Sequence, residues 1–313
     1  MCELLGMSSR RPVRLTFSLQ TLASHSIPPD RQSDGWGAVF YQGNDVALSR
    51  EPIAATTRPL VVFLGQQGPS SSLAISHIRH ATRGEITLAN TQPFIREWAG
   101  RVHVFAHSGD LPTISNASAL RYDRFRPVWT TDSEQAFCAL MEWIAALGSD
   151  VSLAQQFGTV KRFAEDLSEF GPANFLYSDG DTLFAYGHRR LQQHTGKVSA
   201  PGLHLYTCRC EHDDYSIDVQ GLSKQPVFRK WRWLPALLCQ TTPSHGVLWP
   251  KANCWPFEAG RCSSHVLSKT PLLATDAYFL FSARTNSSCL PPVVTTPILM
   301  ALMPTIPISD VVC

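Results

Sequence analysis

The chain has 313 residues, of which 44% are hydrophobic and 17% are charged, with a net charge of +2. This composition is typical of a globular protein and excludes a disordered or fibrous one. The sequence contains no run of 18 or more apolar residues, which would predict a membrane span, and no basic run, which would predict nucleic-acid binding. We therefore expect neither a membrane nor a nucleic acid as a partner.

The N-terminus reads Met-Cys-Glu-Leu-Leu-Gly and lacks the apolar core of a secretory signal. The nine cysteines are an odd number, and their spacing does not predict a disulfide framework. These two features predict a cytoplasmic location, where thiols stay reduced.

The first part of the chain alternates between turn signals and short runs rich in β-branched or aromatic residues, a pattern that predicts strands. The Asp179-Gly180 pair between two such runs predicts a hairpin, because both residues tolerate the backbone angles of a tight turn. The predicted strands cover residues 37–41, 73–79, 102–106 and 203–208, and the hairpin covers 174–186.

Two helices are predicted between these strands. Thr131 and Glu134 form a capping-box pattern ahead of apolar residues at helical spacing, and Gly148 ends that run. A second amphipathic run covers residues 160–170. Strands on both sides of a central helix pair favour antiparallel sheets with helices packed outside over a doubly wound parallel sheet.

The character of the sequence changes near Lys224. The last 90 residues carry eight Lys and Arg against three Asp and Glu, a balance of +5, whereas the preceding residues have a balance of −3. The same 90 residues hold 11 of the 22 prolines, five of the nine cysteines and four of the eight tryptophans, and their weak periodicity gives no clear prediction of helices or strands. We therefore predict a domain of residues 2–222 and a divergent tail of residues 223–313, which is either a genuine extension or a non-homologous addition.

Cys2 is a candidate nucleophile, because removal of Met1 places a free α-amine on the same residue as the thiol. An α-amine has a pKa of about 8, near the pH of the cell, so it is able to act as the base for its own thiol. Taken alone, a cysteine at the second position is a weak signal.

Further motifs follow Cys2 in a fixed order along residues 2–222. They are Asp34-Gly-Trp-Gly37, Ser76-His-Ile-Arg-His-Ala-Thr82, Asn90-Thr-Gln-Pro-Phe94, Phe105-Ala-His-Ser-Gly109 and Thr131-Asp-Ser-Glu134. This succession resembles the class II glutamine amidotransferases, closest to the stand-alone YafJ-type group. The resemblance implies the N-terminal-nucleophile hydrolase fold, an α+β four-layer αββα sandwich of antiparallel sheets.

The resemblance also implies roles for single residues around Cys2. Arg79, with His77 and Thr82 in the same motif, binds the α-carboxylate of glutamine, which a guanidinium matches with two parallel hydrogen bonds. Asp132 binds the α-ammonium. The backbone N–H of Gly109, together with Ser108, forms the oxyanion hole.

Three residues depart from the family pattern near this site. Ser108 replaces an Asn whose side chain donates to the oxyanion, and losing one such donor costs on the order of 100- to 1000-fold in rate. Trp129 stands where related sequences have Gly, and Gln92 stands where they have His, a replacement that we expect to be benign. Ser108 therefore predicts a slower enzyme.

The predicted reaction is hydrolysis of the glutamine side-chain amide through a Cys2 γ-glutamyl thioester, without a cofactor or a metal. The histidines at 77, 80, 103 and 107 lack a cysteine or carboxylate at ligand spacing, so we interpret them as structural. The ammonia passes to a separate synthase or is simply released. Two alternatives stay open, hydrolysis of another γ-glutamyl amide or peptide, and a catalytically impaired binding protein.

Overall fold

The computed structural model describes residues 2–15, 33–56, 58–81, 84–118, 120–192 and 196–199, and the strand segments 203–207, 222–223, 255–256, 279–284 and 298–302. These residues form two large sheets, one small ladder and three α-helices. No helix in these ranges is both long enough and apolar enough to cross a membrane. In chain order the elements are β1 Glu3–Leu15, β2 Gly35–Gln42, β3 Asp45–Glu51, α1 Pro59–Gln67, β4 Ser71–Arg79, β5 Phe94–Trp98, β6 Arg101–His107, α2 Asp132–Leu147, α3 Leu153–Ser168, β7 Asn174–Ser178, β8 Thr182–Gly187, β9 Arg190–Gln192, β10 Lys197–Ser199, β11 Leu203–Thr207, β12 Leu222–Ser223, β13 Trp255–Pro256, β14 Phe279–Arg284 and β15 Ile298–Leu302.

The strands pair in two sheets that are antiparallel except at one edge. The first sheet has the order β11-β15-β1-β4-β2-β3, with β12 also paired to the end of β1. The second has the order β13-β14-β8-β7-β6-β5, in which β13 and β14 run parallel. Strands β9 and β10 form a separate two-stranded ladder.

The first sheet is buried on both faces. Successive side chains along its strands point to opposite faces and so pack into two different cores. Leu5 and Phe40 face α1 and pack with its Val61 and Leu64. Their neighbours on the same strands face the other way and pack against the second sheet. This middle core contains Leu4, Val39 and Ile75 from the first sheet, and Val104, Leu176 and Leu183 from the second.

The outer face of the second sheet packs against α2 and α3. Phe105 and Phe175 of this sheet contact Phe137 of α2 and Phe163 of α3, with ring centroids 5.3–6.2 Å apart. The layers therefore run helix, sheet, sheet, helices. This arrangement confirms the predicted αββα sandwich and the preference for antiparallel sheets.

The predicted strands and the hairpin are confirmed within one or two residues, and α2 begins and ends where Thr131 and Gly148 predicted. The second helix was placed too late, since α3 begins at Leu153 instead of residue 160. Ser152 caps this helix by accepting a hydrogen bond from the Gln155 N–H, and the Gln155 side chain bonds back to the Ser152 backbone. This capping box satisfies backbone groups of the first turn and marks the start of the helix, a signal that the apolar periodicity used for the prediction does not contain.

The residues after Lys224, for which the periodicity gives no clear prediction, contain three strand segments among the described residues. Strand β14 pairs with β8 over six residues, and β15 lies between β11 and β1. Strand β13 adds to β14 at the sheet edge. The apolar runs 279–281 and 298–300 become strands because open strand edges are available to them, a condition that local sequence does not reveal. The division at residue 223 stays a prediction.

Candidate active site

Cys2 lies directly before β1. It is therefore at the same end of the first sheet as Arg79, the last residue of β4. The pairing of Glu3 with Ile78 brings the preceding residue, Cys2, beside Arg79 on β4. The Cys2 Sγ accepts a hydrogen bond from the His80 backbone N–H at 3.3 Å. Burial raises the pKa of the Cys2 thiol, against the opposing effects of that hydrogen bond and of the charges on Arg79 and Arg190. The thiol therefore needs a base before it is able to attack at neutral pH.

The end of β6 places Ser108 and Gly109 against Cys2. The Ser108 hydroxyl is fully buried and donates to the Cys2 carbonyl oxygen at 2.7 Å. A side chain at position 109 would overlap the Pro172 carbonyl oxygen and the His107 ring, so only glycine fits there. Among the described residues, no acceptor contacts the Gly109 N–H.

Arg79 ends β4, and its guanidinium is held by the loop that follows. Nη1 donates to the Glu85 carbonyl at 3.0 Å and Nη2 to the Gly84 carbonyl at 3.3 Å. Burial lowers the pKa of Arg79, and the nearby Cys2 and Asp34 oppose that shift. These contacts fix a buried cation beside Cys2. Thr82, predicted to bind the same substrate group, lies outside the described residues.

Asp132 is the first residue of α2, directly after the helix cap Thr131. One carboxylate oxygen accepts from the Leu111 N–H at 2.8 Å, and the other accepts from the Ser133 N–H at 2.8 Å. The positive end of the helix dipole stabilises a carboxylate at this position. The carboxylate is thus fixed in place and still half-exposed to the cleft.

A cleft of about 350 Å³, counting space open to solvent, joins four of the predicted residues. Cys2, Arg79, Gly109 and Asp132 come from four separate segments and all line it. Ser108 lies behind Cys2 and does not line it. His77 is also buried behind the cleft, close to the His107 backbone. Burial lowers the pKa of His77 to about 3, so its ring is neutral at physiological pH.

The cleft also contains residues to which the sequence analysis gave no role. His107 lines it, and its Nδ1 lies 2.9 Å from the Ser133 hydroxyl. Burial lowers the pKa of His107, while Asp132 and Asp110 oppose this effect. Asn90 and Gln92 line the opposite wall. All three lie inside recognised motifs, which was the available signal, but a motif does not say which of its side chains faces the cleft.

The described residues contain no group of three or more His, Cys, Asp or Glu side chains that is arranged to hold a metal ion.

Comparisons with known proteins identify the family of the chain. The family model for class II glutamine amidotransferases matches residues 1–226. The YafJ protein of Escherichia coli, assigned to the glutamine amidotransferases, is 36% identical over 188 residues, which are 59% of this chain and 72% of YafJ. A similarly assigned protein of Haemophilus influenzae is 35% identical over 188 residues, 59% of this chain and 63% of that protein. The chain thus spans somewhat less than two thirds of the Haemophilus protein.

Among solved structures, a predicted glutamine amidotransferase of Pseudomonas aeruginosa PA01 is 26% identical, with a TM-score of 0.44. The match covers 74% of this chain and 92% of that one. The family model alone spans well over half of the sequence, and it includes every residue that lines the cleft. The chain therefore belongs to the class II glutamine amidotransferases.

Proposed function

We propose that this protein hydrolyses the side-chain amide of glutamine, with Cys2 as the nucleophile, and gives glutamate and ammonia. The observation that carries the proposal is the meeting of Cys2, Arg79, Gly109 and Asp132 in one cleft. A cation and an anion beside a nucleophile suit the α-carboxylate and α-ammonium of an amino-acid substrate. Family membership supports the same reaction class.

In the proposed binding mode, Arg79 pairs with the α-carboxylate and Asp132 with the α-ammonium. Both charges are already held by backbone groups, Arg79 by two carbonyls and Asp132 by two N–H groups. Little conformational entropy is then lost when the substrate binds, which favours affinity. His77, buried next to Arg79, supports this pocket from behind as a neutral ring.

The proposed chemistry starts after Met1 is removed, when the Cys2 amine takes the proton from the thiol. The sulfur attacks the amide carbon, and the developing oxyanion accepts a hydrogen bond from the Gly109 N–H. The amine returns the proton to the nitrogen, the C–N bond breaks and ammonia leaves. Water, deprotonated by the same amine, then cleaves the γ-glutamyl thioester, releasing glutamate and the free thiol.

Ser108 has a place in this proposal because it touches Cys2. Its hydroxyl is already engaged by the Cys2 carbonyl, so its effect on the oxyanion is indirect. Compared with relatives that have Asn at this position, the proposed oxyanion hole rests more heavily on backbone N–H groups. We expect this to make the reaction slower without abolishing it.

The test is intact-protein mass spectrometry after exposure to diazo-oxo-norleucine, an electrophile that mimics glutamine. We expect one adduct, on a chain that lacks Met1, together with release of ammonia from glutamine in a coupled assay. Cys2→Ala should lose both signals. Cys138→Ser is the matched control, since Cys138 is the other cysteine that the structure describes and is buried in the helix layer.

Retention of Met1 in an active protein, or an adduct that survives Cys2→Ala, would contradict the proposed mechanism. The same assay with γ-glutamyl peptides tests whether the leaving group is ammonia or a larger amine, because Arg79 and Asp132 would bind the same γ-glutamyl head in both. We place the reaction in the reducing cytoplasm, with the ammonia released or passed to a separate synthase.

A further inference from the structure

Gln92 stands at the end of a strand ladder, at a position where sequence reasoning expected a benign replacement. In the antiparallel pair of β5 and β6, Phe94 lies opposite Phe105, so the ladder would continue with residue 92 opposite His107. Pro93 has no N–H, and β5 begins only after it. The N–H and C=O of His107 are therefore left without a strand partner on that edge.

The side chain of Gln92 occupies the place of the missing strand. Its Oε1 accepts from the His107 N–H at 2.6 Å, and its Nε2 donates to the His107 carbonyl at 3.2 Å. A side-chain amide has the same donor and acceptor as a peptide group, so one buried Gln replaces one rung of the ladder. The amide of Gln92 is buried, which makes both hydrogen bonds costly to lose.

The next residue is held in the same way from the other edge of β6. The Ser108 N–H donates to the Asn174 carbonyl at 2.8 Å, and the Asn174 side chain donates to the Ser108 carbonyl at 2.8 Å. His107 and Ser108 thus have all four of their main-chain polar groups engaged. The following residue is Gly109, which lines the cleft and packs so closely against the Pro172 carbonyl that a Cβ at this position would overlap it.

We infer that Gln92 is a positioning residue that fixes the oxyanion donor Gly109 through the main chain of His107. The inference rests on the proposed function. An oxyanion donor is most effective when it is already in place as negative charge develops on the substrate oxygen. If the donor must first move, the free energy of that movement reduces the stabilisation of the transition state. Gln92 holds His107 from one edge of β6, and Asn174 holds Ser108 from the other edge. Together they make the main chain that leads into Gly109 rigid.

The test compares Gln92→Met with Gln92→His. Methionine keeps the length of the side chain and loses both hydrogen bonds, whereas an imidazole keeps one donor and one acceptor. We expect Gln92→Met to lower kcat per labelled active site by about 10- to 100-fold, with KM within about threefold of wild type. Gln92→His should stay within about threefold of wild type in kcat.

Gln156→Met is the matched control. Gln156 is also a buried amide, but it lies on α3 and donates to Asp179 at 2.8 Å, away from the cleft. This variant should lose stability while kcat per labelled site stays unchanged. If Gln92→Met does not fold, Gln92→Glu serves in its place, because it keeps the acceptor for the His107 N–H and sets an oxygen against the His107 carbonyl.

An unchanged kcat per labelled site in folded Gln92→Met, or in Gln92→Glu where it takes its place, would overturn the inference and leave a purely structural role. A raised KM with unchanged kcat would overturn it in favour of a substrate contact. Both outcomes are measured on an active wild-type enzyme. Failure of the proposed function is a different result, because the wild type would then neither react with the label nor release ammonia, and the inference would fall with it.

Discussion

At the residue scale, the two fixed charges of the cleft are its most specific feature. Arg79 presents a planar fork that matches a carboxylate with two hydrogen bonds, whereas a lysine in the same place is a single point charge. The surrounding carbonyls of Gly84 and Glu85 orient the guanidinium plane. A substitution that keeps the positive charge but changes the shape of the charged group therefore separates the contribution of hydrogen-bond geometry to substrate binding from that of charge alone.

We predict that Arg79→Lys raises KM for glutamine by about tenfold or more, with a smaller effect on kcat. Asp132→Asn should raise KM in the same way, because it removes the partner of the α-ammonium. Steady-state kinetics on glutamine measure both effects. Wild-type KM values in both variants would show that glutamine binds elsewhere.

Ser108 is a second residue whose effect is open to measurement. Ser108→Ala removes the 2.7 Å hydrogen bond to the Cys2 carbonyl, and we expect it to destabilise the fold by about 1–3 kcal/mol and to lower kcat. Urea unfolding and glutaminase kinetics test this. A raised kcat in Ser108→Asn would show instead that a side-chain donor to the oxyanion outweighs the anchor on Cys2.

At the element scale, the N-terminus of α2 departs from its predicted capping box. Thr131 caps the helix as expected, accepting from the Glu134 N–H. The Glu134 side chain does not return to the cap; its two oxygens accept from the Val128 and Trp129 N–H groups at 2.9 and 3.1 Å, and it pairs with Arg96 at 2.6 Å. One buried carboxylate thus ties β5 and the loop before Asp132 to the helix.

We predict that Glu134→Ala destabilises the protein by about 3–5 kcal/mol, because it removes the charge partner of the largely buried Arg96 and the acceptor of two backbone N–H groups. It should also raise KM, since the loop before Asp132 loses its anchor. Glu165→Ala is the control, because Glu165 pairs with Lys161 on the exposed face of α3 and should cost less than about 1 kcal/mol. Equal losses in the two variants, measured by urea unfolding, would contradict the prediction.

At the scale of the whole molecule, three buried histidines couple stability to pH. Burial lowers the pKa of His77, His103 and His107, so the folded protein keeps them neutral where the unfolded chain, with pKa values near 6.5, binds protons. The unfolded state therefore binds more protons below pH 6.5, and stability falls as the pH falls.

We predict that the free energy of unfolding decreases steadily from pH 6.5 toward pH 4, a window that follows from the His77 pKa of about 3. Each neutral histidine contributes a slope of up to about 1.4 kcal/mol per pH unit. His77→Gln should reduce the slope by about one proton. Urea unfolding at several pH values measures it, and an unchanged slope in the variant would refute the assignment.

The strands after residue 224 make a prediction about the extent of the fold. Strand β14 covers the edge of β8, and β15 covers the edge of β1 next to Cys2. Truncation after Ser223 should therefore give aggregated or unfolded protein, because two strand edges become open. Truncation after Leu302 removes no described strand and is the control. A soluble, active 1–223 chain, judged by circular dichroism and kinetics, would show that the tail is dispensable.

The sequence by itself determined the family and most of the secondary structure, and it supplied the proposal that Cys2 is the nucleophile. Local signals sufficed where the cause is local, as in the alternation of β2 and β4, the Thr131 cap and the ordered motifs around Cys2. Tertiary structure decided the remaining features, because they depend on which segments pair across the sheets. Only the pairing of β1 with β4 sets Cys2 beside Arg79, and only the end of β5 turns Gln92 toward His107. Likewise, the runs in β14 and β15 become strands because the sheets offer them an edge, a property of the folded neighbours and not of those residues.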